Sequence, residues 1–220
     1  MNCSLSASLM CADLLNLADE INRLTDDNVD MLHIDVMDAS FVPNLAFGLD
    51  TIRAIRKITR LPLDVHLMAV NNEPLVDELL KIGVERISFH VSDGDFAVRL
   101  LNKIRDGNAL AGVALNPTSD EGFLKYIKDY IDFVLIMTVE PGFSGQQIIP
   151  SAYSKIASAR FILGEGKDIT VDGNISVDNG VKCIKNGANT LVAGTSFAFD
   201  EDGYIDQSIA VARINIDKFL

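Results

Sequence analysis

The chain has 220 residues, of which 48% are hydrophobic and 23% are charged. This composition is ordinary for a folded globular protein, and the length suits a single domain over residues 1–220. The formal net charge of −12 excludes a sequence-independent nucleic-acid binder, because such proteins need clustered Lys and Arg to neutralise phosphates.

Cysteine usage and the lack of long apolar runs bear on the compartment. Cys3, Cys11 and Cys183 have unrelated spacings, which indicates reduced thiols rather than a disulfide framework. No apolar run reaches the roughly 18 residues that a membrane helix needs, and no signal-peptide pattern precedes the first predicted strand. We therefore expect a cytoplasmic protein whose partners include neither a membrane nor nucleic acid.

Short apolar segments alternate with helical patterns along the whole chain. The predicted strands are residues 3–8, 31–37, 63–68, 86–91, 110–115, 133–138, 169–172 and 190–193. The predicted helices are residues 13–24, 51–58, 74–82, 96–104, 121–130, 152–163, 177–186 and 205–219. In the first helix, helical spacing places Leu14, Leu17, Ala18, Ile21 and Leu24 on one face.

Strict alternation of strand and helix predicts a parallel sheet, because parallel neighbours are joined by crossover helices. Eight units favour closure into a single (β/α)8 barrel of the phosphate-binding type. The competing fold is an open doubly wound sheet. It usually has about five or six strands and a Gly-rich first turn, whereas the first turn here is Ser8-Leu9-Met10-Cys11.

Potential metal ligands lie on three of the predicted strands. His33 and Asp35 are two residues apart and therefore share one face of their strand, while His66 and Asp172 occupy two other strands. Two imidazoles and two carboxylates suit a divalent first-row metal, and a buried carboxylate needs such compensation. All four lie near the ends of their strands, where barrel enzymes carry their active sites.

The plainer interpretation is that each His is a core residue bonded to a neighbour, and for His66 alone that interpretation would be preferred. Its context changes the balance. The chain has three His residues, and two of them, His33 and His66, each have an Asp at a two-residue offset. This shared pattern favours one common site with a catalytic role.

Three loops after the last predicted strands could bind a phosphate through backbone N–H groups. They contain Thr138-Val139-Glu140-Pro141-Gly142-Phe143-Ser144-Gly145-Gln146, Gly173-Asn174 and Gly194-Thr195-Ser196. Each pattern alone is typical of an ordinary turn or helix start. Their placement after consecutive strands predicts a phosphate site without basic side chains.

Three methionines, Met37, Met68 and Met137, lie at strand ends near the predicted metal. Methionine commonly fills gaps in a core. The functional alternative is an apolar, polarizable lining that keeps water away from a reactive carbanion.

Together these residues resemble the ribulose-phosphate 3-epimerase family, whose (β/α)8 barrels invert C3 of ketose phosphates. The resemblance covers residues 6–199. It is carried by Ser6-Ala7-Ser8-Leu9-Met10, His33-Ile34-Asp35-Val36-Met37-Asp38, Phe41-Val42-Pro43-Asn44, Leu63-Asp64-Val65-His66-Leu67-Met68, Pro141-Gly142-Phe143-Ser144-Gly145-Gln146 and Val171-Asp172-Gly173.

The resemblance implies one divalent metal ion, usually zinc, with manganese, cobalt, iron or magnesium as alternatives. It assigns the metal to His33, Asp35, His66 and Asp172 and places Ser8 near a phosphorylated ketose. We also expect His66 among the substrate-binding residues. The phosphate site matches Gly142, Gly145, Gly173 and the turn Gly194-Thr195-Ser196. We also expect a homo-oligomer.

Several positions depart from the family pattern. Ala39-Ser40 replace a Gly and a basic residue or His, Ser92 replaces a Glu, and Asn174 replaces a second Gly. Met10-Cys11, Met137-Thr138 and Gly194-Thr195-Ser196 look closer to the allulose-6-phosphate 3-epimerase branch. The substrate therefore stays open between D-ribulose 5-phosphate, converted to D-xylulose 5-phosphate, and D-allulose 6-phosphate.

Inversion at C3 requires an acid/base group on each side of the carbon, and Asp35 and Asp172 come from different parts of the barrel. One carboxyl must start ionised and the other protonated, while the metal stabilises the enediolate. Decarboxylases and aldolases of this fold generally use a Lys at a strand end. No Lys occurs at the predicted strand ends here, and the nearest ones, Lys57 and Lys81, lie on predicted helices. An inactive sugar-phosphate binding protein would be expected to lose a catalytic carboxylate, and both are present.

Overall fold

Eleven strands are present in the computed structural model, which describes residues 3–91, 96–200 and 202–218, with only the backbone of Asp217. They are β1 (Ser4–Ser8), β2 (Met31–Asp38), β3 (Leu45–Ala46), β4 (Leu63–Met68), β5 (Arg86–His90), β6 (Leu110–Leu115), β7 (Phe133–Met137), β8 (Asp168–Asp172), β9 (Thr190–Ala193), β10 (Phe199–Asp200) and β11 (Gly203–Tyr204).

Eight of these strands form a closed parallel barrel. Their order is β1-β2-β4-β5-β6-β7-β8-β9, and β9 pairs with β1 to close the ring. Each predicted strand is present within one residue of its predicted bounds. The predicted (β/α)8 barrel is confirmed.

Helices connect the strands and cover the outside of the barrel. They are α1 (Leu17–Asp26), α2 (Leu49–Ile58), α3 (Asn72–Ile82), α4 (Ala97–Asp106), α5 (Leu124–Ile127), α6 (Ser151–Leu163), α7 (Val177–Lys185) and α8 (Ser208–Asp217). Local signals set their ends. For example, Ser176 Oγ accepts from the N–H of Asn179 at the start of α7, and Gly83 at φ +82° ends α3. None of the described helices is both long enough and apolar enough to cross a membrane.

Side chains along β2 point alternately toward the helices outside the barrel and into the barrel interior. Leu32 and Ile34 are fully buried in the main hydrophobic core, and His33 and Asp35 point the other way. Burying each aliphatic side chain is worth about 1.5–3 kcal/mol, which compensates for the polar groups held inside the barrel.

The first and fifth helices differ from their predicted extents. Residues Leu9–Cys11 form a 3-10 turn, so α1 begins only at Leu17, and Leu14 is 58% exposed rather than part of a buried face. Ala18 is exposed as well, whereas Ile21 and Leu24 are buried as expected. The fifth helix has a single α-turn preceded by Glu121–Phe123, which is also 3-10.

Three short strands were not anticipated. β3 pairs antiparallel with the end of β2, with Met37 opposite Ala46. β10 and β11 have two residues each and pair antiparallel. Consequently α8 starts at Ser208 rather than at residue 205. The predicted end of that helix, residue 219, lies outside the described residues.

Candidate active site

Four potential metal ligands meet at the carboxyl ends of β2, β4 and β8. His33, Asp35, His66 and Asp172 each offer one ligand atom, and these atoms all lie within 4.8 Å of one another. Parallel register explains the meeting, because Asp35 on β2 lies directly beside His66 on β4. His66 Nδ1 lies 3.1 Å from Asp35 Oδ1.

The open nitrogen of His33 points into this cluster. Its Nε2 is buried without a hydrogen-bond partner among the described residues, although it lies 3.4 Å from Asp35 Oδ1 and 3.7 Å from Asp172 Oδ2. A tetrahedral ion with ligand bonds of about 2.0–2.2 Å separates neighbouring ligand atoms by about 3.3–3.6 Å. The donor set and its spacing therefore fit a divalent metal ion.

A buried charged layer lies beneath the cluster. Asp64 Oδ2 is 2.9 Å from His33 Nδ1, and Asp64 Oδ1 accepts from Arg86 Nε at 3.2 Å. Arg86 also donates to Asp168 Oδ2 and Thr170 Oγ1, both at 2.8 Å. Burial alone would raise the pKa of Asp64. The Arg86 guanidinium, the His33 ring and the Ser6 hydroxyl outweigh burial and lower that pKa to about 2. This layer fixes the orientation of the His33 ring.

The two carboxyl groups of the cluster differ in acidity. Burial raises the pKa of Asp172 to about 6, and the nearby charge of Asp35 acts in the same direction. Burial also disfavours the ionised form of Asp35, but the rings of His33 and His66 outweigh it and hold the pKa of Asp35 well below its usual value. Asp35 therefore ionises at a much lower pH than Asp172 does.

His90 is a member of this region that sequence reasoning missed. Its Nε2 lies 2.8 Å from His66 Nε2, and its ring stacks at a tilt on Phe41 with centroids 4.6 Å apart. Burial, reinforced by the proximity of His66, lowers the pKa of His90 well below its usual value. A sequence signal existed, since His90 ends a predicted strand, but it lacks the neighbouring Asp that marks the other two His residues.

A cleft with a cavity volume of about 60 Å³ opens beside the cluster. The predicted substrate residues that line it are Ser8, Met37, Met68, Met137, Gly142, Phe143, Ser144, Gly145, Gln146, Gly173, Asn174, Gly194, Thr195 and Ser196. Asp35 and Asp172 reach the same cleft, whereas His66 is absent from its lining. The structure thus places the sequence-predicted substrate residues, apart from His66, around one opening.

Several cleft residues were not in the predicted site. They are Met10, Cys11, Val139, Glu140, Pro141, Ile175 and Val192. Most are neighbours of predicted residues in the same loops. Cys11 lies instead in the 3-10 turn after β1, and its sulfur accepts a hydrogen bond from the backbone of Thr195, in the loop after the neighbouring strand β9.

The loops at the far end of the cleft are tied to one another by side-chain amides. Asn174 Nδ2 donates to the carbonyl of Gln146, and Asn44 Nδ2 donates to the carbonyl of Gly142 at 2.8 Å. Gly142 and Gly173 have φ of +116° and +114°, a backbone conformation that favours glycine. None of the described residues lining the cleft is Lys or Arg.

Two departures from the family pattern have a visible backbone consequence. Asn174, at φ +50°, occupies the left-handed region that asparagine tolerates best after glycine. Ala39 occupies the same region at φ +57°, where a Cβ is strained. Ser40 is exposed, and its N–H donates to Asp38 Oδ1 at 2.8 Å. Ser92 lies outside the described residues.

A closed barrel with a His–Asp cluster at its strand ends, two of whose carboxyls differ in acidity, defines a barrel protein with a candidate metal-assisted active site. Solved structures of that architecture superpose closely on it. Phosphoribosyl anthranilate isomerase from Thermus thermophilus gives a TM-score of 0.69 at 9% identity, covering 99% of this chain and 100% of that one. A mutant tryptophan synthase α-subunit from Pyrococcus furiosus gives 0.68 at 15% identity, covering 100% and 99%. These likenesses show the fold alone.

Sequence comparison gives the family. The model of the ribulose-phosphate 3-epimerase family matches residues 4–198. The ribulose-phosphate 3-epimerase of Synechocystis is 38% identical, covering 99% of this chain and 95% of its own. That of Bacillus subtilis is 36% identical, covering 96% and 97%, and that of Methanocaldococcus jannaschii is 38% identical, covering 90% and 85%. The chain belongs to the ribulose-phosphate 3-epimerase family, and it is therefore an isomerase of the epimerase type.

Proposed function

We propose that this chain interconverts D-ribulose 5-phosphate and D-xylulose 5-phosphate by moving a proton at C3. The observation that carries the proposal is the pair Asp35 and Asp172, a buried and a partly buried carboxyl on different strands whose pKa values are driven apart. The names of the sequence relatives favour a pentulose over a hexulose phosphate.

The two carboxyls serve as acid/base groups on opposite sides of C3. In one direction the ionised group removes the proton and the protonated group returns one to the other face. Their protonation states are then exchanged, so the reverse reaction uses the same pair. Ser8 Oγ, 3.4 Å from Asp35 Oδ2, helps to orient that carboxylate.

His33, Asp35, His66 and Asp172 would hold the divalent ion, and we propose zinc because two imidazoles and two carboxylates match its preferred ligands. The bound ion would supply positive charge where negative charge develops on the substrate oxygens. The residues of this chain fix its place, with His33 oriented by Asp64 from below.

The phosphate would be bound by backbone N–H groups of the loops around Gly142, Gly145, Gly173 and Gly194, since basic side chains are absent from the described lining. Met37, Met68 and Met137 would form an apolar wall beside C3 that limits water access. Remote binding of the phosphate then orients the reacting carbon over the two carboxyls.

Steady-state kinetics on the purified protein tests the proposal. D-Ribulose 5-phosphate, D-allulose 6-phosphate and free D-ribulose are compared at known metal content. We expect the highest kcat/KM for ribulose 5-phosphate and a loss of at least about a hundredfold without the phosphate. A higher kcat/KM for allulose 6-phosphate would move the assignment to a hexulose phosphate, and no epimerisation of either ester would refute it.

We further propose that the whole chain acts as one catalytic domain, assembles with itself and works in the cytoplasm. Leu14, Leu15 and Leu45 are 58%, 95% and 72% exposed, an apolar surface that a second copy would cover. No disulfide joins the three cysteines, all of which lie in the described part of the chain. Sedimentation of the wild type against a Leu15→Asp, Leu45→Asp variant tests self-association.

A further inference from the structure

His66 contacts a different neighbour with each of its two ring nitrogens. Its Nδ1 lies 3.1 Å from Asp35 Oδ1, within the metal cluster, and its Nε2 lies 2.8 Å from Nε2 of His90. His33 faces the cluster with the opposite nitrogen, because its Nδ1 lies against Asp64 and its Nε2 points toward the other ligands. Each of the two candidate ligand histidines therefore has one buried partner on its far side, a carboxylate in one case and an imidazole in the other.

The contact between His66 and His90 has the geometry of a well-aligned hydrogen bond. The ring centroids are 5.0 Å apart and the two Nε2 atoms are 2.8 Å apart, so both nitrogens lie close to the line that joins the ring centres. An imidazole nitrogen directs its N–H or its lone pair outward along that line, as a strong hydrogen bond requires. His66 is fully buried and His90 is 8% exposed, so water competes little for the bond.

This bond makes the tautomers of the two rings depend on each other. An N–H···N hydrogen bond needs one protonated and one bare nitrogen. A histidine that binds a metal ion through Nδ1 must leave that nitrogen bare and carry its proton on Nε2. When His66 is a ligand through Nδ1, its Nε2 is therefore the donor and Nε2 of His90 is the acceptor. In the metal-free cluster Asp35 can instead accept a proton from His66 Nδ1, and both tautomers are then reversed.

Packing holds the His90 ring in the orientation that an acceptor for His66 needs. His90 ends β5, two residues beyond Ser88, which is the register partner of His66 on β4. The ring of Phe41 packs against the His90 ring with centroids 4.6 Å apart, and the backbone N–H of Phe41 donates to Asp38 Oδ1 at 2.8 Å. The partner behind the second ligand histidine is therefore a fixed side chain, as Asp64 is behind the first.

We propose that His90 is a positioning residue for the metal centre, which accepts the Nε2–H of His66 and thereby keeps Nδ1 of His66 bare and directed into the cluster. The proposal rests on the metal site proposed above and adds an outer partner to its second histidine. His90 itself lies outside the described lining of the catalytic cleft, so it acts through His66. Its tautomer reports metal binding, because the loaded protein requires a bare Nε2 and a proton on Nδ1 of His90.

Zinc affinity, measured on the full chain by competition with a chromogenic chelator, tests this role. His90→Leu removes the acceptor and should weaken zinc binding about 10- to 100-fold. His90→Gln keeps an acceptor in its side-chain oxygen and should bind zinc at least about fivefold more tightly than His90→Leu. Ser88→Ala is the matched control, because Ser88 is fully buried on the same face of β5 and its hydroxyl has no hydrogen-bond partner among the described residues. It should bind zinc as the wild type does.

The imidazole ¹⁵N signals of the zinc-loaded wild type give a second readout, which holds even if His90→Leu does not fold. The chain has three His residues, and the spectrum of His90→Gln identifies the signals of His90. We expect a bare Nε2 on His90 with a scalar coupling to the protonated Nε2 of His66. A protonated Nε2 on His90 in the zinc-loaded protein would overturn the proposal, as would equal zinc affinities for the wild type and His90→Leu. A wild type that binds no zinc would instead refute the metal site itself, and this proposal with it.

Discussion

The carboxylate of Asp64 lies 2.9 Å from Nδ1 of His33, on the side of the ring away from the metal cluster. A carboxylate in this position fixes the tautomer and the orientation of a ligand histidine and increases its basicity. Both residues are fully or almost fully buried, so water does not compete for the contact. The contact makes Asp64 a positioning residue for the proposed metal site.

Asp64→Asn should therefore weaken metal binding about 10- to 100-fold, because the amide removes the charge behind His33. Competition with a chromogenic chelator measures the affinity. Asp168→Asn is the matched control, since it removes another carboxylate partner of Arg86 without touching His33. Both variants should lose stability, on the order of 2–4 kcal/mol for a disrupted buried pair. Equal metal affinities for the two variants would contradict the positioning role.

Asp172 should lower the stability of the metal-free protein at neutral pH. Its pKa is raised from 3.8 to about 6 in the folded state, mainly by burial. The stabilising effect of its protonated form is complete below pH 3.8 and is lost as the pH rises through about 6. An Asn side chain is uncharged and has nearly the shape of a protonated Asp. Asp172→Asn should therefore be more stable than the wild type at pH 7 by about 1–3 kcal/mol.

Urea unfolding in the presence of a chelator, from pH 4 to pH 8, measures this difference. The gap between the variant and the wild type should open as the pH rises and close on adding metal, because a bound cation stabilises the carboxylate. A difference in unfolding free energy that does not change with pH would show that burial does not raise the pKa of Asp172.

Gly194→Val tests the backbone phosphate site. A Cβ at Gly194 would stand 3.3 Å from Cys11 Sγ at the edge of the cleft, so a branched side chain should block close approach of the phosphate. We expect KM to rise at least about tenfold, which is the loss of a modest part of the phosphate binding energy. Gly166→Val is the control, because a Cβ there meets nothing within 4 Å. An unchanged KM would remove this loop from the site.

Ala39→Gly should stabilise the protein. Ala39 has φ +57°, and a left-handed alanine costs about 1–2 kcal/mol, which exceeds the entropic cost of glycine. The free energy of unfolding should therefore rise by about 0.5–1 kcal/mol. Ala54→Gly, at an exposed position in the middle of α2, should instead lower it by about 1 kcal/mol. Loss of stability in Ala39→Gly would mean that the strain is absent in solution.

Sequence patterns predicted the strands and the main cluster because both depend on local periodicity. The two-residue spacing of His33 and Asp35 gave their common face, and parallel strand ends brought His66 and Asp172 to the same place. The contacts of His90 depend instead on the register of β4 and β5, where His66 pairs with Ser88. No spacing within one strand reveals such a contact.

Long-range closure explains the other differences. Arg86 on β5 reaches Asp168 on β8 only because the barrel closes around it. Leu14 fits the helical pattern of the segment that follows it, but the 3-10 turn after β1 places it on the surface. The first difference is a long-range contact that no local pattern encodes, and in the second the local helical propensity was overridden by tertiary structure.

Deuterium incorporation at C3, measured for the wild type and Asp172→Asn, tests the central claim that two carboxyls exchange the C3 proton. With ribulose 5-phosphate in deuterium oxide, early wild-type product should carry deuterium at C3, because the proton returned to the opposite face comes from a different group. Asp172→Asn should lose at least about a hundredfold in kcat, whereas the exposed control Asp178→Asn should not. Product without deuterium, or Asp172→Asn retaining more than about a tenth of the wild-type turnover, would contradict the two-carboxyl mechanism.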